Sequence, residues 1–325
     1  MNGNPETGQP PSGCYRYLFG PVPSRRLGRS LGVDLVPLKT CSFNCRFCQV
    51  GPTARTSLQR REYVPVAAVL SEFEEWRGQG GRADFVTLSG SGEPTLHSRF
   101  GEVIDGVKEG GLPAALLTNS SLMPLPSVRR DAARADVVKV SLSAWDQESF
   151  ESINRPHPDC SFDAIVAGLR DFRSMFRGKL WLEVFVLSGF NDDAEAAARI
   201  AALASTFSPD RIHLNTVVRP AADAGAQAAA EETLEEMARL FDPPAEVIAA
   251  FSGGRRHGAA PDRERVIALL ARRPCTVADL AGGLEMHRMS VIKLLDGLTR
   301  EGAVESTRTG SHVYYRIADG KDRAG

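Results

Sequence analysis

The chain has no apolar run approaching the ~20 residues that a bilayer-spanning helix needs, so no membrane role is expected. It also has no excess charge of either sign: 39 Lys and Arg stand against 40 Asp and Glu, for a net charge of −1. Such a balance supplies no chain-wide attraction for nucleic acid or for an acidic membrane surface. The opening residues, Met1 to Gly13, are rich in Asn, Pro, Gly and Gln. They have neither the basic start nor the apolar core of a signal peptide, which predicts a cytoplasmic protein with a disordered tail over 1–14. Cysteine is scarce, at six in 325 residues, too few to frame the fold with disulfides. Cys41, Cys45 and Cys48 nevertheless lie within eight residues of one another, while Cys14, Cys160 and Cys275 are scattered. Such crowding without an export signal points to metal.

Between residues 31 and 218, short β-branched runs alternate with amphipathic stretches. Residues 32–36, 84–89, 114–118, 137–142, 180–187 and 211–217 read as strands; 66–76, 100–109, 162–176 and 194–205 read as helices. Repeated strand-then-helix units predict an α/β domain over 15–245, with parallel strands and right-handed crossovers. The six strands leave two architectures, a doubly wound sheet and an open partial (β/α)6 barrel. The strand faces favour the barrel. Alternate side chains share a face, which puts Asp34, Thr87, Ser89, Lys139, Ser141, Glu183, His213 and Asn215 in one polar row across successive strands. A doubly wound sheet buries both faces and reads as almost continuous Val, Ile and Leu. A polar lumen suits a polar ligand; Lys139 and Glu183 would also serve as a buried ion pair bracing the barrel.

Beyond residue 218 the pattern changes. Residues 220–230 are rich in Ala and Pro, 231–241 read as a helix, and 246–261 read as a linker containing Ser252-Gly-Gly-Arg-Arg-His-Gly258. Helical stretches at 263–271, 277–282 and 290–300 precede two strands, 303–307 and 313–317, that flank a turn. This order predicts a small winged helix-turn-helix domain over 262–317, followed by a tail over 318–325. Its expected core comprises Leu269, Leu270, Val277, Leu280, Leu284, Val291, Leu295, Leu298 and Val304. Eleven Lys and Arg against nine Asp and Glu over 262–323 make a poor basic face, so a DNA-reading role is not favoured.

The central motif is Cys41-Ser-Phe-Asn-Cys45-Arg-Phe-Cys48, just after the first strand of the parallel series, where such folds bind ligands. Three thiolates are one short of a closed tetrahedral zinc site or of a four-cysteine cluster. A [4Fe–4S] cluster on three cysteines keeps one iron open to an outside ligand. A structural zinc would need a fourth ligand, for which His157 and Cys160 are the candidates.

The Cys-x3-Cys-x2-Cys spacing, with Phe47 just before the last cysteine, resembles the radical S-adenosylmethionine (SAM) superfamily. Tyr17-Leu-Phe-Gly-Pro-Val-Pro-Ser-Arg-Arg-Leu-Gly28 and Leu214-Asn-Thr-Val-Val-Arg-Pro220 are similar to a branch of it related to the wyosine-forming tRNA enzymes. That resemblance covers about residues 17–220 and implies a [4Fe–4S] cluster on Cys41, Cys45 and Cys48 that reductively cleaves SAM to a 5′-deoxyadenosyl radical. It also implies an external electron donor, such as flavodoxin or ferredoxin, and a substrate that remains unidentified.

By the same resemblance Ser91-Gly92-Glu93-Pro94 meets the amino group of SAM, Thr118 and Asn119 lie near SAM, and Ser141 contacts its ribose. Phe47 would lie against adenine, Asn215, inward on the sixth strand, would contact adenine or substrate, and Ser143 stands where the superfamily has an acidic residue. Basic residues at the same end, Arg25, Arg26, Arg155, His157 and Arg219, suit an anionic substrate, whether small molecule, peptide or RNA. The upstream cysteines that give the wyosine enzymes a second cluster are missing, so that reaction is not carried over. The competing reading is an iron–sulfur sensor that binds DNA through the winged helix.

Overall fold

The computed structural model describes residues 15–24, 26–248, 263–284, 286, 288–310 and 312–318. The expected tail over 1–14, Arg25, and most of the expected linker and C-terminal tail lie outside these residues.

Strands β1 (Leu18–Ser24), β2 (Gly28–Val33), β3 (Phe85–Leu88), β4 (Ala114–Thr118), β5 (Val137–Ser141), β6 (Lys179–Val186), β7 (Arg211–Thr216) and β8 (Glu246–Val247) form one eight-stranded sheet in sequential order. β1 runs antiparallel to β2, and β2 to β8 are mutually parallel. A doubly wound sheet reverses its strand order at a switch point; this sheet never does, which settles the architecture as an α/β partial barrel. Two expectations need correction. The stretch ahead of β2 is itself a strand, and residues 246 and 247 extend the sheet beyond β7 instead of opening a linker. Both additions are short or antiparallel, so neither shows a strand-then-helix signal. The C-terminal tail also begins later than 318, because the Ala318 amide still donates to the Ala303 carbonyl.

The helices cover the outer face. They are α1 (Val66–Gly78), α2 (Phe100–Glu109), α3 (Pro126–Ala132), α4 (Gln147–Asn154), α5 (Phe162–Met175), α6 (Ala194–Ser205) and α7 (Glu231–Ala238). α2 shows why: Phe100, Val103, Ile104 and Val107 repeat at helical spacing, and all four are buried. Caps set the starts of others. Asp146 and Ser149 form a capping box on α4, while Ser161 and Asp193 cap α5 and α6. Inside the barrel, Leu27, Ala115, Val137 and Trp181 form a separate apolar floor.

Past the gap, α8 (Arg263–Leu270), α9 (Val277–Gly283) and α10 (Arg288–Arg300) precede a hairpin of β9 (Val304–Thr309) and β10 (His312–Ile317). They pack on their own core of Val266, Leu269, Leu270, Leu280, Leu284, Val291, Leu295, Leu298 and Val304. Val277 is only partly buried at its edge. This unit is seated on the barrel. Phe19 and Val22 of β1 pack into its core, and α8 and α9 lie against β1. Arg272 pairs with Asp34 at the end of β2 at 2.9 Å; Asp279 pairs with Arg219 beyond β7 at 3.4 Å. The Tyr314 hydroxyl donates to the Val218 carbonyl. The C-terminal unit thus grips both margins of the barrel's open side.

Candidate active site

The loop after β2 carries Cys41, Cys45 and Cys48, all free and partly buried. Backbone bonds pin it: Asn44 N–H to the Arg155 carbonyl, Arg46 N–H to Ile153, and His157 N–H to Ser42. Arg155, in the left-handed region at φ 44°, turns the chain out of α4 to make this possible. Each thiol faces one side-chain donor. Asn119 Nδ2 lies 3.5 Å from Cys41 Sγ, Asn154 Nδ2 3.4 Å from Cys45 Sγ, and Lys39 Nζ 3.4 Å from Cys48 Sγ.

The turn after β3 is locked to this loop. Gly92 lies so near the preceding chain that a Cβ there would come within 1.9 Å of the Thr40 carbonyl oxygen, which excludes any side chain. The Glu93 amide donates to that same oxygen, and the Lys39 amide donates to the Ser91 carbonyl. The amide and hydroxyl of Ser91 both donate to Asp34, at 2.7 and 2.6 Å. The Ser91 side chain, where the superfamily often has glycine, therefore has a partner within the chain. Glu93 is buried and accepts from the Thr95 amide and hydroxyl, the Thr118 hydroxyl and the Asn119 amide. Burial still raises its pKa, against the pull of these donors. Pro94 begins a short 3-10 turn, Pro94–Leu96.

The strand ends differ in how far their polar groups are committed. Asn119 spans from Glu93 to the loop, with its side-chain amide also donating to Ser42 Oγ at 2.9 Å. Ser120 adopts φ 73°, the conformation for which glycine is the easier residue, and its hydroxyl bonds to the Ser141 backbone. Among the described residues the Ser141 hydroxyl has no partner, while the Ser143 hydroxyl accepts from the Phe185 amide. Phe47 stacks on Phe185 with centroids 4.1 Å apart. Asn215 faces the lumen, 3.4 Å from Glu183.

The basic residues separate into two groups. Arg155 pairs with Asp223 at 2.6 Å, Arg46 pairs with the same carboxylate, and the His157 ring accepts from the Asp159 amide. These residues brace the cysteine loop and are not among those lining the lumen; Arg155 lines a separate cavity with Asn44 and Arg55. Arg26 and Arg219 do line the cavity, of about 730 Å³, together with Lys139, Trp181, Arg272, Arg273 and Asp279. Glu183 accepts from Arg26 at 2.9 Å and from Lys139, and the two cations hold its carboxyl well below the usual range. Lys139 is lowered to about 8 by burial and by the nearby Arg26, against the pull of Glu183. His213 is fully buried edge-on to Trp181, with neither ring nitrogen bonded among the described residues; burial lowers it to about 4.

Sequence reasoning missed Lys39, Asn154 and the cavity contribution of the C-terminal unit. Asn154 stands beside Arg155 in a stretch already conspicuous for its polar residues, a signal that was available. Nothing in the local pattern marks Arg272, Arg273 or Asp279.

Three thiols in one loop, each facing a side-chain donor, are a donor set that fits an iron–sulfur cluster. Burial raises the Cys45 thiol, and Cys41 and Cys48 add to the rise. Among the described residues, however, no three His, Cys, Asp or Glu converge as a single metal ion requires. Neither His157 nor Cys160 completes a zinc site. Burial pushes the Cys41 thiol up to about 12, and a thiol raised this far ionises beside a strong positive charge, which the iron of a cluster would supply.

Comparison with known proteins agrees. Over 307 residues, 93% of its length, the chain is 33% identical to a Brachyspira hyodysenteriae protein named GTPase Obg, of which it spans only 45%. No Gly-x4-Gly-Lys-Ser/Thr segment occurs here, so nothing of a nucleotide phosphate loop transfers. A UPF0026 protein of Methanocaldococcus jannaschii is 28% identical over 91% of this chain and 94% of its own. The fold is similar to that of TYW1 with a lysine–pyruvate adduct bound, at TM-score 0.53 and 16% identity, covering 70% of this chain and 76% of that one. No described helix is long and apolar enough to cross a membrane. Residues 35–201 match the Radical SAM superfamily, whose enzymes use a [4Fe–4S] cluster and SAM, and the chain belongs to that superfamily.

Proposed function

We propose that Cys41, Cys45 and Cys48 hold the cluster, that SAM binds beside it along the ends of β3 to β7, and that a substrate enters the lumen below. The cluster would supply the electron that cleaves SAM reductively and releases the 5′-deoxyadenosyl radical. The observation that carries this reading is the lattice joining the cysteine loop to the β3 and β4 ends through Glu93 and Asn119.

The chain's own groups divide the work. Glu93 is saturated by four donors, so its part is to hold Thr95, Thr118 and Asn119 in place. Gly92 lets two backbones meet. Ser141, with its uncommitted hydroxyl, and Asn215 are the polar groups left to bind a ligand, and the Phe47–Phe185 stack offers a flat apolar surface. Ser143, bonded to the neighbouring strand, supports Phe185. In this reading the C-terminal unit is a winged helix that serves the barrel, because it is seated on β1 and its Arg272 reaches Asp34. The DNA-binding sensor has less support: Arg300 on α10 is paired with Asp296, four residues earlier.

Anaerobic reconstitution tests the reading. The protein should show [4Fe–4S] absorption, lost in each of Cys41→Ala, Cys45→Ala and Cys48→Ala but kept in Cys160→Ala and Cys275→Ala. With dithionite and SAM it should release methionine and 5′-deoxyadenosine. A fully loaded cluster that cleaves no SAM with any of several reductants would favour the sensor.

A further inference from the structure

The chain as a whole is almost neutral, yet its lumen is not. Two clusters of charge face the same cavity. On the barrel side, Arg26 and Lys139 share the single carboxylate of Glu183. On the C-terminal side, Asp279 is paired with Arg219, and Arg273 stands beside them. Among the described residues the Arg273 guanidinium makes no ion pair or hydrogen bond. The third pair at the cavity, Arg272 with Asp34, is balanced. Among the described residues, each of the first two clusters thus has one more cation than anion. Leu27, Leu117, Val137, Trp181 and Val217 supply apolar lining to the same cavity.

Unbalanced charge lining a cavity attracts a ligand of opposite charge, which relieves it. We propose, resting on the assignment of the lumen as the substrate site, that the substrate is a small molecule with two anionic groups joined by a neutral stretch. One group meets the Arg26–Lys139 pole and the other meets Arg273. The C-terminal unit would then be a substrate-recognition wall, and the barrel alone would hold half of the site. Carboxylates and phosphates share this chemistry, and the planar fork of Arg273 suits either.

Titration of the full-length reconstituted protein with unbranched dicarboxylates, malonate through suberate, tests the span between the poles. Phosphonocarboxylates of matching length distinguish phosphate from carboxylate, and butyrate is the single-charge control. The expected result is a maximum at one chain length, at least tenfold tighter than butyrate. Arg273→Gln should reduce the dianion to the monoanion's affinity and weaken butyrate by no more than the loss of one of its two poles, about twofold, while Arg273→Lys restores part of the difference. Lys139→Met gives the corresponding loss at the other pole. Equal affinity for mono- and dianions, no dianion binding, or no effect of Arg273→Gln overturns the proposal. So does binding of structured RNA that depends on Arg273 when no dianion binds. SAM cleavage without substrate is measured on the same samples. Its absence with dianion binding intact would sink the enzymatic reading and leave the dianion site standing; the converse would do the opposite.

Discussion

Removing Glu183 and removing Lys139 should have unequal consequences, although each breaks the same bond. Glu183 accepts from Lys139 and from Arg26, and the side chains retain only 13%, 10% and 21% of their exposure in that order. Glu183→Gln keeps the shape and leaves two cations facing each other with no carboxylate. Breaking a buried pair in this manner costs about 3–5 kcal/mol. At ~2–4 °C per kcal/mol for a chain of this order of size, the melting temperature should fall by roughly 6–20 °C. Lys139→Met removes the surplus cation, and Arg26 still neutralises Glu183. Its cost should be near that of one hydrogen bond, about 1 kcal/mol. Because the groups touch, the effects should not add: in a Lys139→Met background, Glu183→Gln should cost ~1–3 kcal/mol less than it does alone. Differential scanning of the four proteins under anaerobic conditions measures the cycle. If Lys139→Met proves as damaging as Glu183→Gln, the carboxylate needs both cations, and the notion of a surplus charge in the lumen fails.

Two further outcomes follow from the buried groups. His213 is lowered to about 4 in the fold, so the unfolded chain takes up its proton first as pH falls through ~6.5. The stability that neutral His213 contributes is complete above that pH and is lost on descending toward 4, by about 3 kcal/mol in all. His213→Phe should flatten the decline in melting temperature between pH 7 and 4.5, and an unchanged slope would assign it to other groups. The donors facing the thiols stabilise charge on sulfur, and more so in the reduced cluster. Asn154→Ala or Lys39→Met should therefore lower the midpoint potential in an EPR redox titration, by roughly 20–40 mV for a differential of about 0.5–1 kcal/mol. A potential that stays put would show that these side chains turn away once the cluster is bound.

How much of this was legible beforehand depended on the range of each interaction. The parallel strands and the helix α2 were readable because alternation at period two and repetition at 3.6 are properties of adjacent residues. The cysteine motif was readable because its three thiols lie in one short loop. The polar row from Thr87 to Asn215 followed from face alternation alone, including the Lys139–Glu183 pair. Residues 18–24 and 246–247 did not show as strands, since an antiparallel edge and a two-residue strand exist only through the neighbour they pair with. Arg155 and His157 looked like ligand residues in sequence, and only packing revealed that they brace the cysteine loop. The reason is that a charged side chain's partner is fixed by spatial proximity: Asp223 is 68 positions from Arg155, and Asp34 is 238 positions from Arg272. The sequence by itself determined the sheet's direction, the three-cysteine motif on which the proposed cluster site rests, and the existence of a second core. Tertiary structure alone decided that this second core closes the open side of the barrel and lends its arginines to the cavity, because that contact joins segments with no pattern in common.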